Sequence, residues 1–272
     1  MAVSYNRLWK CLIDRGMKKK DLAAAAHISS YTVTRLSKGE PVSMGVLLKI
    51  CAALGVGMEE IVELRPEEAG RPTLENRLGL TDSAALALAE ERLSKKKALE
   101  IFEKNLLAGL PAGRFSTLQT IHRILFEEIY DFAGKLRTVN LAKGNFRFAP
   151  VMYLEAALEK IDQMPQATFD EIVEKYVEMN IAHPFREGNG RAGRIWLDHL
   201  LKAELSQVVD WQKVDREDYL LAMERSPVRD TEIKHILRQA LSSATENREV
   251  FIKGIDRSYA YEGYEAFQTE NL

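Results

Sequence analysis

Apolar residues recur at helical spacing along nearly the whole chain. The clearest pattern has the spacing i, i+3, i+4, i+7, i+8 and i+12 and consists of Phe169, Ile172, Val173, Tyr176, Val177 and Ile181. Similar patterns predict further helices over 86–107, 118–132 and 153–164. The chain is therefore predicted to be nearly all α.

One segment departs from this pattern. On both sides of the turn residues Lys143-Gly144-Asn145, apolar and polar positions alternate instead of following a helical period. Alternation on both sides of a turn is typical of a β-hairpin. We therefore predict a hairpin over 137–150.

The chain also divides along its length. Short, closely spaced helices are predicted up to Val62, and residues 65–72 then combine two prolines, a glycine and four charged side chains. Such a composition is typical of a linker between separate cores. We expect four regions: an N-terminal domain over 1–65, a linker over 66–75, a second domain over 76–255 and a C-terminal segment over 256–272.

Charge is unevenly distributed between these regions. The 272 residues carry a net charge of −2, with 46% hydrophobic and 29% charged side chains. Residues 1–65 hold ten Lys and Arg against six Asp and Glu, a balance of +4, so residues 66–272 carry −6. A basic N-terminal part permits a polyanionic partner.

Two classes of protein are disfavoured by the composition. Two cysteines are too few for a disulfide framework, and no apolar run reaches the roughly 18–20 residues that a membrane span needs. The start of the chain also lacks the apolar stretch of a signal peptide. We expect a cytoplasmic protein without a membrane partner.

The basic region contains a predicted pair of helices joined by a tight turn. Residues 19–39 predict a short helix, the turn, and a second helix that begins at Ser29 or Ser30. The segment resembles the Cro/repressor-like (XRE-type) helix-turn-helix family over nearly all of 3–64, which implies a five-helix domain that binds DNA. In that family the second helix enters the major groove. The resemblance implies base contacts from Ser30, Tyr31, Thr32 and Arg35, and phosphate contacts from Lys18, Lys19, Lys20 and Lys38.

Two other interpretations of the N-terminal domain stay open. Its lysines can form an ordinary solvated face, since charge runs usually do. The domain can also bind protein rather than DNA. A single module of this kind binds DNA weakly, so any DNA affinity is expected to depend on assembly.

The candidate chemistry lies in one loop, His183-Pro184-Phe185-Arg186-Glu187-Gly188-Asn189-Gly190-Arg191-Ala192-Gly193-Arg194. The loop leads into a predicted helix, so its backbone N–H groups and the helix dipole favour an anion such as phosphate. Arg191 and Arg194 supply guanidinium groups for phosphate oxygens. The loop therefore predicts a phosphate-binding site.

Two further side chains of this loop fit a group-transfer reaction. Glu187 is the single carboxylate in the loop and is suited to Mg²⁺, which binds through one or two carboxylates plus substrate phosphates. His183 remains as the base, because a neutral imidazole accepts a proton near neutral pH. Another histidine, His122, lies on an apolar helix face and is expected to be structural.

The loop resembles the signature of the Fic family, His-x-Phe-x-Asp/Glu-Gly-Asn-Gly-Arg-x-x-Arg, at every fixed position. Further similarity extends over roughly 75–250. The resemblance implies an α-helical Fic fold with the 137–150 hairpin as a flap that aligns the target segment. It also implies transfer of AMP from ATP to a Tyr, Ser or Thr hydroxyl of a target protein. It implies that His183 removes the acceptor proton, that Phe185 anchors the loop in the core and that Glu187 holds Mg²⁺. The α- and β-phosphates are assigned to Gly188, Asn189 and Gly190. The β- and γ-phosphates are assigned to Arg191 and Arg194.

Members of the same family also catalyse reactions other than AMP transfer. Phosphotransferase members carry a lysine in place of the second glycine, and Gly190 argues against that reaction. Phosphocholine transfer stays open. A target near DNA, such as a topoisomerase subunit, is implied by the fusion to a DNA-binding module.

The C-terminal segment 256–272 contains a second signature. Ser258 and Glu262 are spaced i, i+4, with Asp256 as the expected N-cap and Gly263 as the expected C-cap of a helix. The segment resembles the Ser/Thr-x-x-x-Glu-Gly/Asn inhibitory motif of Fic proteins with a C-terminal inhibitory helix.

This second resemblance implies autoinhibition. A carboxylate of Glu262 paired with Arg194 would compete with the γ-phosphate for the same guanidinium group. Tyr259 and Tyr261 lie on the same segment and are candidates for self-modification that loosens it. The class also implies a homo-oligomer.

Two alternatives concern the whole protein. A Fic fold with little transferase activity can sense nucleotide and switch DNA binding, although His183 favours an enzyme because a sensor needs no base. Glu262 can also position water and a metal for removal of AMP, which would make the protein a two-way modifier.

Overall fold

The computed structural model describes residues 2–37, 39–65, 73–143 and 146–272. Two compact units separate at Pro72 and Thr73, and each is described by itself. No helix in the described ranges combines the length and apolar character needed to cross a membrane.

The N-terminal unit is helical with one short sheet. Its elements are β1 (Ala2–Ser4), α1 (Asn6–Asp14), α2 (Lys19–Ala25), α3 (Ser30–Ser37), α4 (Met44–Leu54), a 3₁₀ turn (Met58–Glu60) and β2 (Glu63–Arg65). Strands β1 and β2 pair antiparallel, a feature that the sequence did not predict. The resemblance implied five helices in this domain. Its described residues form four α-helices, and the 3₁₀ turn Met58–Glu60 stands in the place of the fifth.

Helices α2 and α3 form the expected helix-turn-helix around a small core. Leu8, Leu22 and Ile50 are fully buried in that core. The Ser29 hydroxyl accepts the backbone N–H of Thr32 at 3.1 Å, which satisfies an N–H at the start of α3.

The larger unit consists mainly of packed helices. Its elements are α5 (Ser83–Glu103), α6 (Phe115–Phe126), β3 (Ala142–Lys143), β4 (Phe146–Arg147), α7 (Val151–Gln163), α8 (Phe169–Ala182), α9 (Asn189–Leu205), β5 (Val208–Val209), a 3₁₀ turn (Trp211–Lys213), α10 (Arg216–Arg225), α11 (Thr231–Gln239), β6 (Leu241–Ser242), α12 (Arg248–Ala260) and a 3₁₀ turn (Thr269–Asn271).

Helix α9 lies at the centre of this unit. Its side chains Trp196, Leu197, Leu200 and Leu201 have no exposed surface, and α6, α8 and α12 pack around it. Because α9 is surrounded, the start of this helix is fixed against the core, and the preceding loop is partly buried.

The predicted hairpin is present but short. Ala142 pairs with Arg147, and Lys143 pairs with Phe146, in an antiparallel ladder. The predicted turn residues Gly144 and Asn145 lie outside the described residues.

The C-terminal helix differs from its predicted bounds. It begins at Arg248, where the Asn247 side chain caps it by accepting two backbone N–H groups. Asp256 is therefore an interior residue rather than the N-cap, and its carboxylate accepts the Thr269 N–H at 3.0 Å. The helix starts earlier because its apolar face continues upstream through the buried Ile252. It ends at Ala260, so Glu262 and Gly263 lie in the turn that follows.

Candidate active site

The loop between α8 and α9 turns sharply at both ends. His183 ends α8 with φ 48° and ψ 62°, and Gly188 precedes α9 with φ 75°. A Cβ atom at position 188 would lie 2.5 Å from the Phe126 ring, so this position requires glycine. The close approach of Phe126 holds the loop backbone against the core.

Beneath the loop, Phe185 stacks on His122 with ring centroids 3.8 Å apart. The Nδ1 atom of His122 accepts the Gly134 N–H at 2.9 Å, so Nε2 carries the proton and donates to the Glu187 carbonyl oxygen at 2.8 Å. His122 is thus a neutral imidazole that fixes the loop backbone.

Acidification is expected to destabilise the protein through His122. Burial lowers the pKa of His122 to about 3, below the ordinary value near 6.5. Between these pH values the unfolded chain binds a proton that the folded chain rejects, so stability falls as the pH falls from 6.5 toward 3. The free energy of unfolding, measured with urea, should fall in the wild type between pH 6.5 and pH 4.5. The fall should be about 2 kcal/mol smaller in His122→Gln. Equal losses in both proteins would contradict this account.

The Asn189 side chain closes the loop on itself. Its Oδ1 accepts the Phe185 N–H at 2.8 Å, and its Nδ2 donates to the Phe185 carbonyl oxygen at 2.7 Å. The side chain therefore shapes the loop, while backbone N–H groups at the start of α9 are the donors suited to phosphate.

Glu187 lies half-exposed in the loop. Its Oε1 accepts the Gly188 N–H at 3.0 Å and lies 3.3 Å from Arg191 Nη2, while burial raises the pKa of the carboxyl above its ordinary value. Within the described ranges, no group of three or more His, Cys, Asp or Glu side chains is arranged to hold a metal ion. A Mg²⁺ ion that uses one carboxylate plus phosphate oxygens fits this donor set.

Arg191 is completely buried among carboxylates and rings. Its Nη1 lies 2.5 Å from Glu90 Oε1, its Nε lies 2.8 Å from Glu262 Oε2, and its guanidinium lies 4.7 Å from the Tyr264 ring centroid. Burial alone would lower the pKa of Arg191, but Glu90 and Glu262 raise it well above its ordinary value. The guanidinium therefore remains charged in the interior.

The carboxylate of Glu262 bridges Arg191 and Arg194 on the first two turns of α9. Its Oε1 lies 2.8 Å from Arg194 Nη2, which is the expected pair, and its Oε2 reaches Arg191, a contact that the sequence did not predict. Ser258 adds two bonds, because Arg194 Nε donates to its hydroxyl at 2.5 Å and Nη2 donates to its carbonyl oxygen at 2.8 Å. A Cβ atom at Gly190 would lie 2.4 Å from Glu262 Oε1, so the carboxylate lies directly over the first turn of α9.

Sequence reasoning missed the carboxylate of Glu90. It is buried, and it accepts the Tyr264 hydroxyl at 3.0 Å as well as the Tyr130 hydroxyl. On a highly charged helix such as α5, Glu90 resembles a solvent-facing residue. Its spacing of i+4 from the buried Leu86 is the signal that could have found it.

His183 contacts the hairpin segment. The His183 ring stacks on Phe148 with centroids 3.7 Å apart and an interplanar angle of 19°. Arg137 reaches both this loop and the hairpin through its guanidinium group. Neither Phe148 nor Arg137 was predicted as a site residue.

The two candidate tyrosines of α12 and the following turn are buried. Tyr259 is fully buried, and the Tyr261 hydroxyl donates to the Val214 carbonyl oxygen at 2.9 Å. Burial raises the pKa of both hydroxyls above their ordinary values. Neither hydroxyl is presented to an enzyme in this conformation.

The predicted base-contacting residues of α3 differ in their exposure. Tyr31 is 62% exposed, whereas the Thr32 hydroxyl lies 2.9 Å from the Ser29 hydroxyl. Arg35 Nε lies 3.2 Å from Glu40, so its guanidinium is paired within the domain. Ser30 begins the helix.

The predicted phosphate-contacting lysines lie on and before α2. Lys18 and Lys20 are exposed, and Lys19 donates to the Ser37 hydroxyl at 2.8 Å. Lys38 lies outside the described residues.

Comparisons with known proteins agree with both units. The chain matches a family model for the Cro/C1-type HTH DNA-binding domain over residues 7–67 and one for the Fic/DOC family over residues 114–201. It is 31% identical over 189 residues to a protein of Salmonella typhimurium named probable protein adenylyltransferase Fic, and the match covers 65% of this chain and 92% of that protein. The chain belongs to the Fic/DOC family.

Other relatives of this Fic protein carry similar names. The protein adenylyltransferase VbhT of Bartonella schoenbuchensis is 29% identical over 189 residues, with 64% of this chain and 38% of that protein covered. The fold also matches the N-terminal FIC domain of Bep8 from Bartonella sp. 1-1C, with a TM-score of 0.56, 19% identity, and coverage of 66% of this chain and 95% of that one. The BepC protein of Bartonella tribocorum, solved with bound AMPPNP, gives a TM-score of 0.52 at 20% identity, covering 64% and 94%. The predicted α-helical Fic fold is confirmed.

Proposed function

We propose that this Fic-family enzyme transfers AMP from ATP to a Tyr, Ser or Thr hydroxyl of a target protein. The main support is one observation: two buried guanidinium groups, Arg191 and Arg194, lie on the first two turns of α9, directly after the loop that begins at His183. Cations, backbone N–H groups and the positive end of a helix dipole together favour a polyphosphate. The names of the relatives support adenylyl transfer as the reaction.

In the proposed mechanism, His183 accepts the proton of the acceptor hydroxyl. The hydroxyl oxygen bonds to the α-phosphorus while the bond from that phosphorus to the bridging oxygen breaks, and pyrophosphate leaves with the electron pair. The N–H groups of Gly188, Asn189 and Gly190 bind the α- and β-phosphates. Glu187 would hold Mg²⁺ together with phosphate oxygens, and the ion supplies charge neutralisation when bound.

We further propose that the enzyme is autoinhibited by the turn after α12. Glu262 pairs with Arg191 and Arg194, the two guanidinium groups that would bind the β- and γ-phosphates. Ser258, from the same C-terminal segment, accepts a hydrogen bond from Arg194. Gly263, with φ 89°, allows the chain to turn directly after Glu262. ATP is therefore expected to bind with its phosphates displaced from the productive position.

Self-modification is proposed to require release of this segment. Tyr259 and Tyr261 are buried, so their hydroxyls become acceptors only when the end of α12 leaves its site. Either the same chain or a second copy can then catalyse AMP transfer to these hydroxyls. Transfer by a second copy fits the homo-oligomer and the cytoplasmic location that we also propose.

The reaction products distinguish AMP transfer from phosphoryl transfer. Chromatography of a Glu262→Gly reaction should show pyrophosphate formed in step with modified protein, and mass spectrometry should find AMP on the acceptor. ADP formed in step with modified protein would overturn the proposal.

The N-terminal domain is proposed to bind DNA. The observations in support are the match to a DNA-binding family, the exposed Lys20 and Tyr31, and the basic charge balance. DNA binding would bring the enzyme to targets associated with DNA, such as a topoisomerase subunit. The domain division proposed from the sequence, 1–65, 66–75, 76–255 and 256–272, separates this module from the enzyme.

Salt dependence tests the DNA contacts. Removing one lysine that binds a phosphate is expected to reduce the slope of log K against log salt by about 0.9, so Lys19→Ala/Lys20→Ala should reduce it by about 2 on a random duplex. Lys49→Ala, which removes an exposed lysine of α4, is the matched control. An unchanged slope in the double variant would contradict the proposed contacts.

A further inference from the structure

The buried guanidinium of Arg137 connects the catalytic loop to the hairpin segment. At the end of α8, its Nε donates to the His183 carbonyl oxygen at 2.7 Å and its Nη2 donates to the Ala182 carbonyl oxygen at 3.1 Å. On the hairpin side, Nη1 donates to the Val139 carbonyl oxygen at 2.8 Å, and Nη2 also donates to the Ala149 carbonyl oxygen. One side chain thus joins both ends of the hairpin segment to the backbone of the catalytic histidine.

The chemistry of these partners explains why an arginine occupies this position. The last carbonyl groups of a helix lack intrahelical donors and carry the negative end of the helix dipole. A guanidinium group has several N–H donors in a fixed planar arrangement, whereas a lysine ammonium has three donors on one atom. Arg137 can therefore satisfy four carbonyl oxygens in two segments at once.

A second connection involves the side chain of the histidine itself. Phe148, in the hairpin segment, stacks on the His183 imidazole at 3.7 Å. The backbone adds two bonds, from the Ala149 N–H to the Ile181 carbonyl oxygen at 3.0 Å and from the Arg137 N–H to the Pro184 carbonyl oxygen at 2.9 Å. The base of the hairpin and the end of α8 are therefore joined by side-chain and backbone contacts.

We propose that Arg137 and Phe148 are positioning residues that fix the hairpin and the His183 imidazole to each other. This inference rests on the proposed function, in which the hairpin aligns the acceptor segment and His183 removes the acceptor proton. Arg137 sets the backbone at His183, and Phe148 sets the plane of its ring. An acceptor hydroxyl that the hairpin aligns then arrives within reach of the base.

The test uses the Glu262→Gly chain as the parent enzyme and the His183→Ala/Glu262→Gly chain as the acceptor. Arg137→Lys and Phe148→Leu should each lower kcat for AMP transfer about 10- to 100-fold, since a displacement near 1 Å costs about that much. The KM for the acceptor chain should rise, while the Kd for ATP should stay within about twofold of the parent, because neither side chain contacts the phosphate-binding arginines. Arg137→Ala should lose more activity than Arg137→Lys and should recover part of it with added guanidinium.

Coupling between the two residues is the sharper readout. If they act through one unit, the loss in the Arg137→Lys/Phe148→Leu double variant should be well below the product of the two single losses. Arg238→Lys is the control. Arg238 pairs with Asp170, which lies at the start of α8, at the end away from His183. This variant should retain the parent's kcat.

Three results would overturn the inference. They are unchanged kcat in both single variants, equal losses of ATP affinity and AMP transfer, and fully multiplicative losses in the double variant. If Arg137→Lys fails to fold, Phe148→Leu decides the question through its kcat and its ATP affinity. A parent that transfers no AMP to any protein would instead contradict the proposed function itself.

Discussion

Replacing Glu262 by glycine is expected to raise AMP transfer at least about 100-fold. Charge-assisted hydrogen bonds contribute about 1.5–3 kcal/mol each, and the substitution removes one from Arg191 and one from Arg194. Both guanidinium groups then become available to the β- and γ-phosphates. The initial rate of AMP transfer from ATP, measured with equal amounts of wild type and variant, checks this prediction.

A stability measurement accompanies the gain in activity. Without Glu262, two buried guanidinium groups lose a compensating carboxylate, so the Tm of the variant without ATP should fall. ATP should then raise the Tm of the variant more than that of the wild type, because ligand binding stabilises the folded state. Glu265→Gly, which removes an exposed carboxylate three residues along the chain, is the matched control and should leave the rate unchanged. A Glu262→Gly enzyme no faster than wild type would contradict the autoinhibition.

Replacing His183 by alanine in the Glu262→Gly chain should lower AMP transfer by about 10²–10⁴-fold, the range that a general base contributes. The Kd for ATP should change little, because the proposed mechanism assigns the phosphates to backbone N–H groups and to Arg191 and Arg194 rather than to the imidazole. Single-turnover transfer at saturating ATP, together with a binding titration, separates the two quantities.

The control for this prediction is His235→Ala, which removes an exposed histidine of α11. It should keep the parent's rate and the parent's ATP affinity. Equal rates in His183→Ala and the parent would show that another group removes the acceptor proton. A large loss of ATP affinity in His183→Ala would show that the imidazole holds the nucleotide.

Parts of the fold that depend on short-range patterns were predictable from the sequence. The helix over Phe169–Ala182 was predicted nearly to its bounds, because one apolar face runs along its whole length and Thr168 caps it. A helix after the loop was also predicted, and it is present as Asn189–Leu205. Bounds that depend on turns were less accurate: α6 ends at Phe126 rather than near Phe132.

The start of α12 shows why capping residues alone are ambiguous. Both Asn247 and Asp256 are residue types that favour an N-cap. Asn247 is the actual cap, because the buried Ile252 and Ile255 extend the apolar face of the helix upstream of Asp256. The choice between two caps is decided by tertiary burial, which a local pattern records only weakly.

The long-range contacts of the site were not predictable from spacing. Arg191 and Glu90 are 101 residues apart, and Tyr264 and Glu90 are 174 residues apart. Each of these residues has an ordinary local context, and their chemistry arises only when α5, α9 and the C-terminal turn pack together. The motif predicts which residues bind phosphate, whereas the fold determines what holds those residues in place.

The most direct test of the central claim compares α-labelled and γ-labelled ATP on three proteins. These are the wild type, Glu262→Gly and His183→Ala/Glu262→Gly, each incubated with Mg²⁺ and a bacterial lysate. With labelling of the lysate alone as the baseline, the account predicts strong added protein labelling from α-labelled ATP by Glu262→Gly, little by the other two, and no added labelling from γ-labelled ATP. Added labelling from γ-labelled ATP, or no added labelling by Glu262→Gly from either donor, would contradict it.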